Sequence, residues 1–291
     1  VISTSLGNVK YDYLVIASGA KTNFFGMKNV EKFSIPMKSL LESLNLRSRI
    51  LESIELALNN DSISEIKKNL TFVIAGGGAT GVELAGALSE LKNKILPKDY
   101  PDLDIRIMQI HVIEGADRLL AGMSEKSSEK AAKFLSKLGV NVWTSERVQD
   151  YDGEVVITAD GMEIPTKTLI WAAGVTANPI NGFKEDDFQN NRFKTDEFCR
   201  LIDYQNIYAL GDVANFVAKK TNKPLPMLAS VAMQQGKYLG KLFNTSFKYK
   251  PFVYKDKGTM ATIGRNKAVV EVGKINFQGI TAWFVWMFVH V

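Results

Sequence analysis

Three glycines in the spacing GxGxxG do most to limit what this chain can fold into. Gly76, Gly78 and Gly81 stand between a short apolar strand, residues 70–75, and a helix that begins at Val82. In this setting the first glycine permits a tight turn, the second lets a pyrophosphate approach the backbone, and the third lets the helix pack closely on the strand. The helix N-terminus adds free amides and a positive dipole, which favour phosphate. The pattern predicts a dinucleotide-binding turn, and a glycine-rich turn that binds nothing is the alternative.

A dinucleotide-binding domain also needs an acidic residue at the end of the next strand, where it accepts hydrogen bonds from the adenosine ribose. Glu114 ends the strand over residues 107–113 and is the candidate, although it follows Gly78 by 36 residues instead of the usual ~20. Residues 96–101 account for the extra length. A carboxylate here repels a 2′-phosphate, so we expect NADH to be preferred over NADPH. Arg118, four residues later, is a candidate partner for the 2′-phosphate of NADP, but we expect it to be a solvated charge. The alternative for Glu114 is an ordinary surface carboxylate.

Glu83 lies in the first turn of the helix that follows the glycine loop. A carboxylate at this place complements the positive end of the helix dipole, which is worth about 0.3–1 kcal/mol. The same carboxylate can face the nicotinamide of a bound NADH. The two roles are compatible, and the sequence does not separate them.

Strands and helices alternate around the glycine loop. From residue 70 to residue 174 the order is β-α-β-α-β, then a hairpin that turns at Ala159-Asp160-Gly161, then a last buried strand. This order is typical of a nucleotide-binding α/β unit. Outside it we expect a strand over residues 9–17, a helix over 39–59, a strand over 207–210 and a helix over 228–243.

Two further segments are similar to flavoprotein motifs. Residues 11–20 resemble the "ATG" segment of two-dinucleotide flavoproteins, with Ser18 in place of threonine. Residues 206–214 resemble the partner motif, in which a strand-end aspartate, here Asp212, binds the ribityl and pyrophosphate region of the flavin. With the glycine loop they resemble the pyridine nucleotide-disulfide oxidoreductase superfamily over essentially the whole chain. The resemblance implies an α/β two-dinucleotide-binding (Rossmann-like) flavoprotein fold, an NAD domain inserted in an FAD domain, and FAD and NAD(H) as cofactors.

Three segments narrow the resemblance to one subgroup. Residues 76–86, 170–175 and 257–265 resemble type II NADH dehydrogenases. These are FAD-containing, single-subunit NADH:quinone oxidoreductases that attach to one face of a membrane and pump no protons. The resemblance therefore implies an enzyme in which NADH reduces the flavin and the flavin passes two electrons to a quinone.

The motifs and the resemblance assign roles to particular residues. Glu83, which would orient the nicotinamide or relay protons, and Gln234 are expected to be catalytic. Lys257 is expected near the flavin or its phosphates. The residues expected to bind cofactor are Ala17, Ser18, Gly19, Gly76, Gly78, Thr80, Gly81, Glu114, Ala173, Gly174, Gly211, Asp212, Leu228, Ala229 and Lys257.

Residues 228–236 resemble the quinone-site helix of the same subgroup, where two glutamines usually sit four residues apart. Gln234 fits the second position, but Ser230 stands at the first. Serine is shorter than glutamine and cannot reach the same carbonyl, which leaves Gln234 as the expected contact.

The first GxGxxG of the family, which binds the ADP half of FAD, does not occur before residue 11. We therefore expect an internal fragment that lacks the N-terminal FAD Rossmann half and holds FAD poorly by itself. The expected divisions are 1–66, part of the FAD domain; 67–182, the NAD(H)-binding domain; 183–245, the return of the FAD domain with the quinone-site helix; and 246–291, the start of a membrane-associating region.

The net charge of +5 is concentrated near the end of the chain. Residues 246–274 contain seven lysines and arginines against two acidic residues, so this basic tail alone carries 7 − 2 = +5. The aromatic end, residues 275–291, has no charged residue and contains Trp283 and Trp286. Tryptophans beside lysines are typical of an element that lies at a membrane surface. A solvated strand face and a buried core or dimer helix are the alternatives.

These observations predict which partners the protein has. We expect a quinone (menaquinone or ubiquinone), an anionic membrane surface and, as an option, a second copy of the chain, but no nucleic acid, since no recognition motif accompanies the charge. The expected location is peripheral, on the cytoplasmic face of a bacterial inner membrane. One cysteine and two histidines are too few for dithiol chemistry or a Cys/His zinc site. Two alternatives remain, a soluble FAD-dependent NADH reductase with an iron–sulfur protein or oxygen as acceptor, and a module that binds NAD without turnover.

Overall fold

The computed structural model describes residues 1–248, 250–273 and 275–290. Lys274 of the basic tail and Val291 of the aromatic end lie outside the described residues. The chain separates into two compact units: the first unit contains residues 1–21 and 175–257, and the second unit contains residues 22–174 and 258–291. The domain divisions expected from the sequence stay predictions.

Both units mix strands with helices, so the α/β class is confirmed. The strands are β1 (Ile2–Thr4), β2 (Gly7–Val9), β3 (Leu14–Ile16), β4 (Ala20–Thr22), β5 (Ile35–Pro36), β6 (Thr71–Ala75), β7 (Gln109–Glu114), β8 (Asn141–Thr144), β9 (Val148–Tyr151), β10 (Val155–Thr158), β11 (Glu163–Pro165), β12 (Thr168–Trp171), β13 (Val175–Ala177), β14 (Phe188–Gln189), β15 (Arg192–Thr195), β16 (Ile207–Ala209), β17 (Ala214–Ala218), β18 (Lys223–Pro224), β19 (Thr259–Thr262), β20 (Ala268–Val272) and β21 (Ile275–Gly279). The α-helices among the described residues are α1 (Lys28–Phe33), α2 (Leu40–Leu58), α3 (Ile63–Asn69), α4 (Ala79–Glu90), α5 (Leu96–Asp99), α6 (Glu125–Lys137), α7 (Ala229–Asn244) and α8 (Ile280–His290).

A five-stranded sheet in the order β5–β12–β6–β7–β8 forms the centre of the second unit, and every neighbouring pair is parallel. All residues of β6 and β12 are buried, as expected for parallel strands that are covered on both faces. Phe72 and Ile74 pack with α2, α4 and α6, whereas Val73 and Ala75 pack with α1 and with strands β9 to β11. Because parallel strands end at the same edge of a sheet, the residues that follow β6 lie beside Glu114 at the end of β7.

Local sequence signals explain where the elements of this unit begin and turn. Ser39 caps α2 in a capping box with Glu42, in which each side chain accepts a backbone N–H of the other residue. The hairpin expected at Ala159-Asp160-Gly161 is present, because β10 and β11 pair antiparallel with Val156 opposite Ile164. The expected helix over residues 39–59 and this turn are therefore confirmed.

The end of the chain forms an antiparallel sheet, β19–β20–β21, followed by α8. An ideal Cβ on Gly86 of α4 would lie 2.3 Å from the backbone nitrogen of Gly264, so only glycine allows this approach of helix and sheet loop. Helix α8 has an apolar sequence and exposes 82% of Phe288. None of the helices among the described residues is long and apolar enough to cross a membrane.

Glu271 of β20 joins this sheet to the N-terminus of α6. Its carboxylate accepts hydrogen bonds from the Ser124 and Ser127 hydroxyls, both at 2.5 Å, and from the Ser124 N–H at 3.0 Å. Burial, the largest single influence, raises the pKa of Glu271, but the three hydrogen bonds together outweigh it and hold the pKa below its usual 4.5.

We expect Glu271→Gln to lower the free energy of unfolding at neutral pH by roughly 1–2 kcal/mol, because the charged acceptor is lost. A lowered folded-state pKa stabilises the protein above the unfolded pKa, and this stabilisation disappears as the pH falls below about 4.5. The gap between wild type and variant should therefore close in acid, as measured by urea unfolding across a pH series. Glu129→Gln, on the exposed side of α6, is the control. A gap that stays constant in acid would contradict this role of Glu271.

In the first unit, β3 and β16 form a parallel pair, with Val15 opposite Tyr208. The N–H of Leu210, just after β16, donates to the carbonyl of Ile16 at 3.0 Å. The segment that follows β3, residues 17–19, and the Gly211-Asp212 turn after β16 therefore leave the same edge of this pair. Helix α7 lies against the Gly211-Asp212 turn, since an ideal Cβ on Gly211 would be 3.0 Å from Cβ of Ala232.

Candidate functional site

The glycine loop after β6 contains two positions that only glycine can occupy. Gly76 has a φ of +107° and donates its N–H to the carbonyl of Ile113 at 2.8 Å. An ideal Cβ on Gly76 would lie 2.4 Å from the carbonyl oxygen of Ala172. On Gly81 it would lie 1.9 Å from the carbonyl oxygen of Gly76. The first and third glycines of the pattern are therefore required by the close packing of β6, β12 and α4.

Gly78 and Thr80 lie at the exposed N-terminus of α4. Gly78 directly precedes the first helical residue, Ala79, and no side chain caps the helix there. Nothing lies within 4 Å of an ideal Cβ on Gly78, and Gly78, Ala79 and Thr80 are all exposed. The uncapped amides and the positive end of the helix dipole are thus open to a phosphate group.

Glu114 is held beside the glycine loop by backbone amides. Its Oε2 accepts the N–H of Gly77 at 2.5 Å and its Oε1 accepts the N–H of Ala116 at 2.7 Å. Each carboxylate oxygen can accept a further hydrogen bond. The carboxylate is therefore fixed in position and still able to accept the hydroxyls of a ribose.

A cleft of about 620 Å³ opens between the loop and Glu114. Ligand pockets of about 300–1,000 Å³ are usual for small molecules and cofactors. Ala173 lines the cleft, and Gly174 lies behind it, since an ideal Cβ there would be 3.2 Å from the ring of Phe25. The lining residues are Phe25, Met27, Ala75, Gly76, Ile113, Glu114, Gly115, Ala116, Glu146, Arg147, Val148, Trp171 and Ala173.

The predicted NAD residues are thus brought together in the second unit, and the donor set fits a dinucleotide. The N-terminus of α4 supplies open amides, which suit a pyrophosphate. Glu114 supplies a fixed carboxylate, which suits ribose hydroxyls, and apolar side chains line much of the cleft. Sequence reasoning missed Phe25, Trp171 and Arg147. Arg147 follows β8, the next strand of the sheet, and the rule that ligands bind at the carboxyl ends of parallel strands would have pointed to it.

Glu83 contacts the sheet at the end of the chain. Its Oε1 accepts the N–H of Thr262 at 3.0 Å and the Thr262 hydroxyl at 3.2 Å. The structure thus shows a packing role for one oxygen of this half-buried carboxylate. Orientation of a nicotinamide by Glu83 stays a prediction.

The predicted flavin residues are brought together in the first unit. Residues 17–19 follow β3 and Gly211-Asp212 follows the parallel strand β16. The Ser18 hydroxyl is buried and has no hydrogen-bond partner among the described residues. Leu228 and Ala229 form the start of α7, where no side chain caps the helix. These groups fit the polar half of a flavin nucleotide. They are the unpaired Ser18 hydroxyl, the carboxylate of Asp212 after β16 and the uncapped amides at the start of α7.

Gln235 positions the Gly211-Asp212 turn and was missed from the sequence. Its side-chain carbonyl accepts the N–H of Gly211 at 2.7 Å, and the side chain is 1% exposed. Arg192 is also nearly fully buried and donates to the carbonyl of Leu225 at 3.0 Å. Burial lowers the pKa of Arg192, and the charge of Asp212 opposes this shift. Gln235 and Arg192 are both buried polar side chains in this unit. Neither residue belongs to a sequence motif, so neither could be recognised from the sequence.

On the half-buried side of α7, Gln234 is bound to the backbone of the segment before Lys257. Its amide donates to the carbonyl of Lys255 at 2.9 Å and accepts the N–H of Lys255 at 3.0 Å. Ser230, one turn earlier, shares a hydrogen bond of 3.0 Å with the Tyr254 hydroxyl. Lys257 itself is exposed. The roles expected for Gln234 and Lys257 stay predictions.

Comparison with known proteins identifies the family of the chain. The model of the pyridine nucleotide-disulphide oxidoreductase family matches residues 3–236. The type II NADH:quinone oxidoreductase of Haemophilus influenzae is 31% identical over 96% of this chain and 68% of its own length. The corresponding Ndh protein of Mycobacterium tuberculosis is 31% identical over the whole of this chain. The internal alternative NAD(P)H-ubiquinone oxidoreductase A1 of Solanum tuberosum mitochondria is 33% identical over 96% of it.

Solved structures show the same fold. NDH2 from Plasmodium falciparum in complex with NADH has a TM-score of 0.87, with 24% identity over 99% of this chain and 76% of that one. The two-dinucleotide fold expected from the sequence is therefore confirmed. The chain spans 65% of the length of the Mycobacterium tuberculosis relative and 60% of the Solanum tuberosum relative.

Proposed function

Since the chain belongs to the pyridine nucleotide-disulphide oxidoreductase family, and within it to the type II NADH dehydrogenases, we propose that the protein oxidises NADH and passes two electrons through FAD to a quinone. The observation that carries the proposal is Glu114. Its carboxylate is fixed by the N–H of Gly77 inside the glycine loop and lines a cleft of nucleotide size. This arrangement supports a ribose acceptor at Glu114 and a pyrophosphate site at the glycine loop, on neighbouring strand ends.

The residues of the second unit bind and orient NADH. The first-turn amides of α4 receive the pyrophosphate next to Gly78, and Glu114 accepts the hydroxyls of the adenosine ribose. The same carboxylate repels a 2′-phosphate, so NADH is preferred over NADPH. Glu83 orients the nicotinamide through Oε2, while Oε1 stays on Thr262.

The residues of the first unit hold FAD, which when bound supplies the two-electron redox chemistry between nicotinamide and quinone. Asp212 would accept hydroxyls of the ribityl chain next to the pyrophosphate. The Ser18 hydroxyl, which has no partner among the described residues, would gain one. Gln235 keeps the N–H of Gly211 satisfied so that the turn holds its shape.

The quinone, menaquinone or ubiquinone, is received along α7. Gln234 fixes the segment around Lys255 against this helix through its two backbone hydrogen bonds. Ser230 is paired with Tyr254 and does not replace the missing glutamine.

The protein attaches to one face of a membrane as a peripheral protein. The support is the basic tail next to the apolar, partly exposed helix α8. The cytoplasmic face of a bacterial inner membrane and a second copy of the chain as partner are part of the same proposal. Several relatives are mitochondrial by name.

The test is an anaerobic titration of the protein expressed from the complete reading frame that encodes this chain. NADH should bleach the visible absorbance of bound flavin, and added menaquinone or ubiquinone should restore it. Bleaching that no quinone reverses would remove the quinone assignment and favour a soluble reductase with another acceptor. Binding of NADH without bleaching would indicate a nucleotide-binding module. Sedimentation with anionic vesicles at low salt checks the membrane contact.

A further inference from the structure

Arg147 stands at the mouth of the cleft, across the residue that follows Glu114. An ideal Cβ on Gly115 would lie 3.0 Å from Nε and 3.2 Å from Cγ of Arg147, so the arginine side chain lies along the backbone of Gly115. Arg147 is exposed and lines the cleft together with Glu114. Its guanidinium is therefore next to the ribose position and on the side of the sheet that leads to β8.

The guanidinium of Arg147 has no hydrogen-bond or ion-pair partner within residues 1–248, 250–273 and 275–290. Arg118, the other arginine near Glu114, is different. Its Nη2 donates to the carbonyls of Ala121 and Met123 at 3.2 and 3.3 Å. Of these two arginines, only Arg147 thus has its planar group available to a ligand in the cleft.

The charged residues beside Arg147 determine which part of a nucleotide this arginine can bind. Glu146 and Glu114 both line the same cleft. Glu146 Oε1 accepts the N–H of Arg147 at 2.8 Å and that of Ala159 at 3.0 Å, which fixes it in place. Two fixed carboxylates oppose a dianionic 2′-phosphate, but they do not oppose an uncharged aromatic ring. Arginine side chains stack on such rings through their planar face.

We propose that Arg147 forms one wall of an adenine subsite and stacks on the adenine of NADH. The proposal rests on the proposed binding of NADH in this cleft and adds the residue that recognises its adenosine end. The base would extend from the ribose held at Glu114 towards β8, where Arg147 lies over Gly115.

Calorimetric titration of the protein expressed from the complete reading frame tests this, with three ligands: NADH, NADPH and reduced nicotinamide mononucleotide, which has no adenosine. Arg147→Ala should weaken NADH binding about 3- to 20-fold, the range expected for a lost stack of this kind. Reduced nicotinamide mononucleotide should bind equally to wild type and variant. Arg147→Lys keeps the positive charge but not the planar guanidinium, so its NADH affinity should be close to that of Arg147→Ala. Arg147→Tyr supplies a planar ring and should restore most of the NADH affinity.

The matched control is Arg106→Ala, since the Arg106 side chain is 87% exposed and pairs with Asp104. Equal NADH affinity of wild type and Arg147→Ala would overturn the proposal while leaving the proposed function intact. Equal weakening of the mononucleotide, or full recovery with lysine, would also overturn it. A larger loss for NADPH than for NADH would show pairing with a 2′-phosphate instead of stacking. Wild-type protein that binds no NADH would remove both proposals.

Discussion

Gly78→Ala is expected to leave the fold intact and to weaken NADH binding about 10- to 100-fold, the effect of losing one or two hydrogen bonds to a charged group. The structure leaves empty space around the position of its Cβ, so the substitution creates no clash within the protein. The added methyl group would stand where the pyrophosphate must approach the first turn of α4. Calorimetric titration with NADH measures the loss, and thermal unfolding measures whether the fold is kept.

Gly81→Ala gives the contrasting result in the same loop. Its Cβ would lie 1.9 Å from the carbonyl oxygen of Gly76, so β6 and α4 must move apart. We expect a loss of roughly 1–3 kcal/mol or more in the free energy of unfolding, as in other overpacked cores. Gly122→Ala is the control for both variants, because its Cβ meets nothing within 4 Å. A Gly78→Ala protein that binds NADH like the wild type would remove the phosphate site from this helix end.

The fold of the second unit could be predicted from sequence because its signals are local. The glycine loop, the apolar runs of β6 and β12 and the turn at Ala159-Asp160-Gly161 each lie within a few consecutive residues. The sheet order and the contact of α4 with Gly264 depend on residues far apart in the chain. Secondary-structure propensity and hydrophobic periodicity carry no information about pairings between distant residues. The sheet order and the contact of α4 with Gly264 are therefore visible only in the structure.

In the candidate site, too, local sequence signals mark some residues, whereas others are defined by contacts between distant parts of the chain. Glu114 could be predicted because it ends a recognisable strand, and its hydrogen bond to Gly77 agrees with that placement. Arg147 carries no motif, and only its place after β8, at the carboxyl end of a parallel strand, could have pointed to it. Gln235 could not be predicted, because its buried hydrogen bond to the N–H of Gly211 joins residues that are 24 positions apart. For Glu83 the sequence predicts two compatible roles. It could not reveal that the N–H and the hydroxyl of Thr262 both donate to one oxygen of this carboxylate.

Gln235→Leu is expected to weaken FAD retention about 10- to 100-fold, because the substitution leaves the buried N–H of Gly211 without an acceptor. An unsatisfied buried amide costs about 1–3 kcal/mol. The Gly211-Asp212 turn can recover that cost by moving the amide towards water, and Asp212 would move with it. The protein should therefore lose flavin absorbance during gel filtration, while NADH affinity in the glycine-loop cleft stays unchanged.

The neighbouring glutamine supplies the control. Gln234 is half-buried and bonds to the backbone of Lys255, so Gln234→Leu should keep FAD and instead raise the KM for quinone. Two adjacent residues of one type on one helix are thus expected to separate flavin retention from quinone use. Retention of FAD by Gln235→Leu at the wild-type level would show that the turn does not depend on this hydrogen bond. Loss of FAD in both variants would indicate that α7 itself had unfolded, which circular dichroism at the helical wavelengths would reveal.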